Sequence, residues 1–302
     1  MTPPARYTAR PAAAGVHALG EGPVWDPARE RLLWVDIVAH AVHEGRLDTA
    51  TGAIARTATT TFDTTVGAVA VAAGGDLLVA ERQTLTRVGT GGERTPVARV
   101  LPESRASRLN DGAVDPAGRF LVGSLAQDRR RGGEILARLD AGGVTVLDRD
   151  LDLSNGLAWS PAGDLMYSVD TIPGLVRVRD YDPDTGAVGE RRDWLEIGDG
   201  HPDGMCADAE GNLWIAVWGG SRVECRGPDG ELLAVVDVDA PHTSSVAFAG
   251  PDLDVLVITT ATRDLSPADL ARHPDSGRLF TARVGVAGLP VAYWDPACAP
   301  SS

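Results

Sequence analysis

Apolar residues along this chain fall into short runs separated by turn signals, and the runs come in pairs. Residues 202–218, PDGMCADAEGNLWIAVW, show the unit: a small residue, an alternating apolar segment, a tight polar turn, and a second apolar segment. Alternation of this kind predicts strand, turn, strand. The same unit recurs as EGPVWDPARERLLWVDI from Glu21, VGAVAVAAGGDLLVAER from Val66 and NDGAVDPAGRFLVGSL from Asn110. It appears again as NGLAWSPAGDLMYSVDT from Asn155 and SSVAFAGPDLDVLVITTA from Ser244. Aligned on their small residue, Gly22, Gly67, Gly112, Gly156, Gly204 and Ser245 are separated by 45, 45, 44, 48 and 41 residues.

Six units at that period predict an all-β fold, a six-bladed β-propeller whose blades are four-stranded sheets around a central channel. Each hairpin supplies two strands of a blade, and intervening segments such as 175–197 supply the other two. A linear solenoid would need capped ends, and two separate β domains would not explain an even period from residue 22 to 245. One propeller domain is expected over residues 1–302, with short flexible tails at about 1–6 and 295–302. Pairing of YTAR (7–10) with RLFTARV (278–284) is expected to close the ring and remove open edges.

Charge narrows the partners. Forty-two acidic against 28 basic side chains leave a net charge of −14, which repels nucleic acid and anionic membrane surfaces. No apolar run approaches the roughly 18–20 residues that span a bilayer, and the first twenty residues lack a secretory apolar core. Cys206, Cys225 and Cys298 have no CxxC spacing, so neither a disulfide framework nor a structural zinc site is expected. A soluble, cytoplasmic protein is the expectation; a closed propeller needs no partner for stability, which makes a monomer plausible, but the sequence leaves the oligomeric state open.

The repeat makes the residues before the aligned position equivalent: Glu21, Val66, Asp111, Asn155, Asp203 and Ser244. Four of these six carry a carboxylate or carboxamide, and a propeller directs them at one axis. Like charges gathered there cost several kcal/mol without compensation. A divalent cation compensates, and an all-oxygen set suits Ca²⁺, Mg²⁺ or Mn²⁺. Asn-Gly and Asp-Gly are also ordinary turn dipeptides, the simpler explanation for any one of them taken alone.

Taken together, LGEGPVWD (19–26), RLNDGAVDPAGRF (108–120), SNGLAWSP (154–161), HPDGMCADAEGNLWIAVWGG (201–220) and RLFTARVGVAGLP (278–290) resemble the senescence-marker protein/regucalcin/gluconolactonase family of sugar lactone lactonases. The resemblance spans nearly the whole chain. It implies a six-bladed propeller with one divalent metal ion in its channel, Ca²⁺ foremost, with Mg²⁺, Mn²⁺ or Zn²⁺ as alternatives. It further implies metal ligation by Glu21, Asn155 and Asp203, substrate contacts from Arg108 and Asn110, and proton acceptance by Asp203. In the third unit the repeat selects Asp111 where the family pattern selects Asn110, which places Asp111 behind the ligands, orienting a neighbour. Segment 126–139, AQDRRRGGEILARL, departs from the family with its three consecutive arginines and with Glu134 and Ala137. Arg129–Arg131 are expected on a solvated loop.

The chemistry implied is hydrolysis of a small-molecule lactone, of a sugar or aldonic acid or a related hydroxy acid, by water activated at the metal. The same site could serve another ester, a phosphotriester or a biosynthetic lactone, or a calcium-binding protein without turnover. There is no GxSxG, HExxH or GxGxxG, and the GH…WD signature of an interaction propeller is absent. His201 and His242 are expected as loop histidines. Trp25, Trp159 and Trp214 are expected in the core, and Trp218 is a candidate for substrate contact.

Overall fold

The computed structural model describes residues 3–300 and is a six-bladed β-propeller. The inner strands of its blades are Gly20–Asp26, Val66–Val71, Ser107–Val114, Ser154–Trp159, His201–Ala207 and Thr243–Ala249. Each touches the next, and the sixth returns to the first, so they form a closed ring around the channel. Within a blade the strands run antiparallel from channel to rim, as in blade three: Ser107–Val114, Phe120–Ala126, Glu134–Asp140 and Gly143–Leu151.

Burial follows radius. The inner strand Val66–Val71 is buried on both faces, being wedged between its neighbours, while the outer strand Ile54–Thr61 keeps one of its eight residues buried. The DPAG turn of blade three shows why the hairpins close as the sequence predicts. Asp115 Oδ1 accepts bonds from Ala117 N at 2.9 Å and Arg119 N at 2.8 Å, and Gly118 supplies φ +89°.

The ring closes between the expected segments, but through Arg10 alone of residues 7–10, with Pro11 beside it. Arg10–Pro11 pairs antiparallel with Phe280–Ala282 and becomes the outer strand of blade six. Tyr7 and Thr8 do not join it; Ala5–Thr8 runs parallel to Leu232–Asp237 as a fifth strand of blade five. The tails are correspondingly shorter than 1–6 and 295–302. Ala5 and Arg6 are in a strand, Asp295 N donates to Gly118 O at 2.9 Å, and Pro296–Cys298 form a 3₁₀ turn. Residues 1–2 and 301–302 lie outside the described part.

One short α-helix, Pro267–Arg272, interrupts blade six, opened by a capping box of Ser266 and Asp269. None of the described helices is long and apolar enough to cross a membrane. Segment 289–293 crosses the far end of the channel, tied by Leu289 N to Ala207 O, Trp294 N to Val71 O and Tyr293 Oη to Asp26 Oδ1.

Candidate active site in the channel

Every inner strand breaks register with its neighbour at one place. The breaks lie between Glu21 and Val24, Val66 and Ala68, Leu109 and Gly112, Ser154 and Leu157, Pro202 and Met205, and Thr243 and Ser245. A bulge frees its residues from the ladder and re-aims their side chains. Asn110, Asp111, Asn155, Asp203 and Ser244 all fall inside a break, and Glu21 stands at the edge of one. In blade three the break is wide enough to release both Asn110 and Asp111, so the two candidates flagged there both leave the sheet.

Asn155, Asp203, Glu21, Asn110 and Arg108 are all buried, between 4% and 7% exposed, and Asp111 is half-buried. Asn155 Nδ2 donates to Thr171 Oγ1 at 3.1 Å and to Asp203 Oδ1. That spends the amide hydrogens and leaves Asn155 Oδ1 buried with no hydrogen-bond partner. Arg108 Nη1 donates to Asn110 Oδ1 at 2.6 Å, and Asn110 Nδ2 donates to Ser154 O at 3.0 Å. These links chain blade three to blade four and blade four to blade five across the channel wall. Asp111 Oδ1 accepts from Gly112 N at 2.8 Å.

Electrostatics mark the same group. Burial, then the charges of Asp203 and Asp111, raises the Glu21 carboxyl well above its ordinary range. Burial, then Asp111, does the same to Asp203, and burial pushes Asp111 up to about 6. Burial and the nearby Arg263 bring the Arg108 guanidinium down to about 10, against the pull of Glu21 and Asp203. Three carboxyls thus face one channel with a single buried cation among them.

The donor set fits a hard divalent cation: two carboxylates beside an amide oxygen that nothing in the protein satisfies. Among the described residues, no three His, Cys, Asp or Glu side chains stand close enough to hold a metal by themselves. The unpartnered Asn155 carbonyl oxygen could complete such a set.

Other flagged residues take lesser places. Trp25, Trp159 and Trp214 are buried in the blades. His201 Nδ1 lies 3.2 Å from Thr171 O on the rim and is exposed. Trp218 and His242 stack at the mouth, centroids 4.0 Å apart and planes at 14°. Beyond the polar ring, toward the strap at 289–293, the channel widens into a largely apolar cavity of about 450 Å³ between Trp25, Leu157, Trp159, Met205 and Val246. Sequence reasoning missed Thr171 and Arg263. Both follow the second strand of a blade, and a count of strand lengths from the glycine turns would have put them at this mouth.

Residues 19–262 match the family described as "SMP-30/Gluconolactonase/LRE-like region". The chain is 36% identical to pentonolactonase XacC of Haloferax volcanii over 280 residues, covering 90% of this chain and 93% of that protein. It is 34% identical to regucalcin of Bos taurus over 282 residues, again 90% and 93% of the two chains. Among solved structures it is similar to a calcium-binding protein, regucalcin, from Agrobacterium tumefaciens. That match has a TM-score of 0.90 and 27% identity, covering 98% of this chain and 100% of the other.

Proposed function

This chain belongs to the SMP-30/gluconolactonase/LRE-like family, and from that premise we propose that it hydrolyses a lactone at the polar ring of its channel. The observation that carries the reading is the orphaned Asn155 Oδ1 beside two buried carboxyls, Glu21 and Asp203. Those three residues would hold one divalent cation, with Ca²⁺ favoured by the oxygen set and by the calcium-binding relative. Such an ion, when bound, polarises an ester carbonyl and acidifies water.

The chain's own residues do the rest. Asp203 Oδ1 is held by Asn155, which leaves Oδ2 as the oxygen that accepts a proton from attacking water. Arg108 fixes the Asn110 amide, and together they line the wall where the lactone's oxygens would lie. Asp111 sits beyond them, its charge bearing on both carboxyl ligands.

Hydrolysis of an aldonolactone panel by the chelated protein, followed by re-addition of Ca²⁺, Mg²⁺, Mn²⁺ and Zn²⁺, tests this directly. Activity is expected to vanish on chelation and return with one ion. Asp203→Ala is expected to lower kcat/KM by about a thousandfold, the scale of losing a general base and a ligand together. Tight metal binding with no turnover of any lactone would instead favour a calcium-binding role, the second reading that the Agrobacterium relative supports.

A further inference from the structure

Charge is distributed unevenly along this chain. Residues 82–131 carry ten arginines against five acidic residues, whereas the rest of the chain carries 18 against 37. There is no lysine, so every side-chain cation outside histidine is a guanidinium. Strand direction then sorts these groups. The polar ring lies near the N-terminal ends of the inner strands, so its mouth is also where second and outer strands end. Arg82 follows the second strand of blade two and Arg99 ends its outer strand. Arg105 leads into the inner strand of blade three, and Arg129–Arg131 follow its second strand. All six therefore share the mouth with Glu21, Asn155 and Asp203, in a single sector of the rim.

Two of them are held in place by a buried carboxylate. Glu134, 1% exposed, accepts from Ser107 Oγ at 2.9 Å, Ser124 Oγ at 2.5 Å and Arg105 Nη2 at 3.2 Å. Arg130 Nη2 lies 3.6 Å from the same carboxylate and donates to Ser107 Oγ at 3.0 Å. Arg105 Nε lies 3.2 Å from that hydroxyl, and its Nη2 also meets Gly133 O. Arg130 Nε is paired with Asp128, while Gln83 Nε2 donates to Arg105 O at 2.8 Å and steadies the loop from below. Among the described residues, Nη1 of both Arg105 and Arg130 makes no hydrogen bond. Ser107, which both guanidinium groups contact, immediately precedes Arg108. Arg129–Arg131 are exposed, as expected of a solvated loop, but Arg130 is fastened beside the Arg108–Asn110 pair.

We propose that this rim receives an anionic substituent: the lactone carries, besides its ring ester, a carboxylate or phosphate that Arg105 and Arg130 bind outside the polar ring. The inference rests on the lactonase reading for the nature of the ring. Guanidinium forks match carboxylate and phosphate oxygens, and orientation by buried Glu134 removes much of the entropy cost of forming those bonds.

Calorimetric binding of gluconate, glucarate and 6-phosphogluconate to the metal-loaded protein and to Arg130→Gln tests it, with hydrolysis of the corresponding lactones measured alongside. Either glucarate or 6-phosphogluconate is expected to bind about tenfold more tightly than gluconate, the value of one charge-assisted contact. Which of the two does so separates carboxylate from phosphate. The preference should shrink with added salt and largely disappear in Arg130→Gln. Equal binding of all three acids, no binding of any, or a preference unchanged in the variant would overturn the proposal. Lactone turnover indifferent to the added charge would sink the anion site and leave the lactonase reading standing. An Arg130-dependent preference without turnover of any lactone would do the reverse.

Discussion

A buried amide oxygen without a partner is the residue-level signature of this site. Asn155 Oδ1 faces the channel because Thr171 Oγ1 and Asp203 Oδ1 have taken the Nδ2 hydrogens. Replacing Thr171 with valine keeps the shape and removes one of those restraints. Metal affinity is then expected to fall about tenfold, the usual cost of losing a group that orients a ligand. Titration calorimetry reads the change, and unaltered affinity would show that Thr171 does not fix the amide. Glu21, Asn155 and Asp203 were legible because each stands immediately before a glycine in a repeat. Thr171 was not, because it lies sixteen residues from the side chain it orients and carries no motif. The tie between Arg108 and Asn110 was equally silent, since residues two apart share a face of a regular strand and do not ordinarily bond.

Each inner strand combines a bulge with a small residue, and the two belong together. A Cβ on Gly156 would lie 2.5 Å from Asp203 O and 2.8 Å from Met205 N, on the next blade's inner strand. A Cβ on Gly204 would strike Ser245 in the blade after that, and one on Gly67 would strike the backbone of Leu109 and Asn110. Close approach of neighbouring inner strands therefore explains the glycines at 67, 156 and 204, whereas Gly22 is required by its φ of +48° and a Cβ on Gly112 would meet Leu121 O of its own blade at 2.7 Å. Gly156→Ala is expected to cost about 1–3 kcal/mol by overpacking and to lower turnover by displacing Asp203. Denaturant unfolding and lactone hydrolysis read the two effects. Gly74→Ala is the control, since a Cβ there meets nothing within 4 Å. The hairpins were readable from their turn glycines and alternating apolar positions. The bulges were not, because a register break is defined by the partner strand rather than by the residues that bulge.

At the scale of the molecule, six repeats made the propeller legible, while the way it closes depended on pairings across most of the chain. His17 sits at that closure. Its Nδ1 bonds Gly277 O at 2.7 Å and its Nε2 accepts Trp34 Nε1 at 2.9 Å, which leaves the ring neutral with its proton on Nδ1. His43 lies 5.2 Å away, centroid to centroid, and donates to or accepts from Thr59 Oγ1 at 2.9 Å. Burial lowers His17 and, with the neighbouring His17, brings His43 down to about 4. Both rings are neutral when folded and charge more readily when unfolded. Their stabilisation is therefore complete above the ordinary histidine pKa of about 6.5 and is lost as pH falls toward the folded values. For His43 the loss between pH 7 and pH 5 is about 2 kcal/mol. Urea unfolding at the two pH values should show that wild type loses this much more than His43→Gln, whose channel carboxyls titrate alike. Equal losses would refute the assignment. The parallel pairing of Ala5–Thr8 with blade five left no trace in the sequence, since a strand added to an existing edge needs no turn and no pattern of its own.

The outer strand of blade six comes from Arg10–Pro11, and its partner is Phe280–Ala282. On a ribosome adding about 5–20 residues per second, the first of these segments waits about 15–50 s for the second to be made. Until then the chain is an open arc of blades with an unmated edge at each end. The last blade cannot finish early, however fast the others condense, so closure of the ring waits for the synthesis of Phe280–Ala282. Refolding from denaturant meets the same requirement as a search between two segments far apart in sequence, a long-range step of the kind that slows folding.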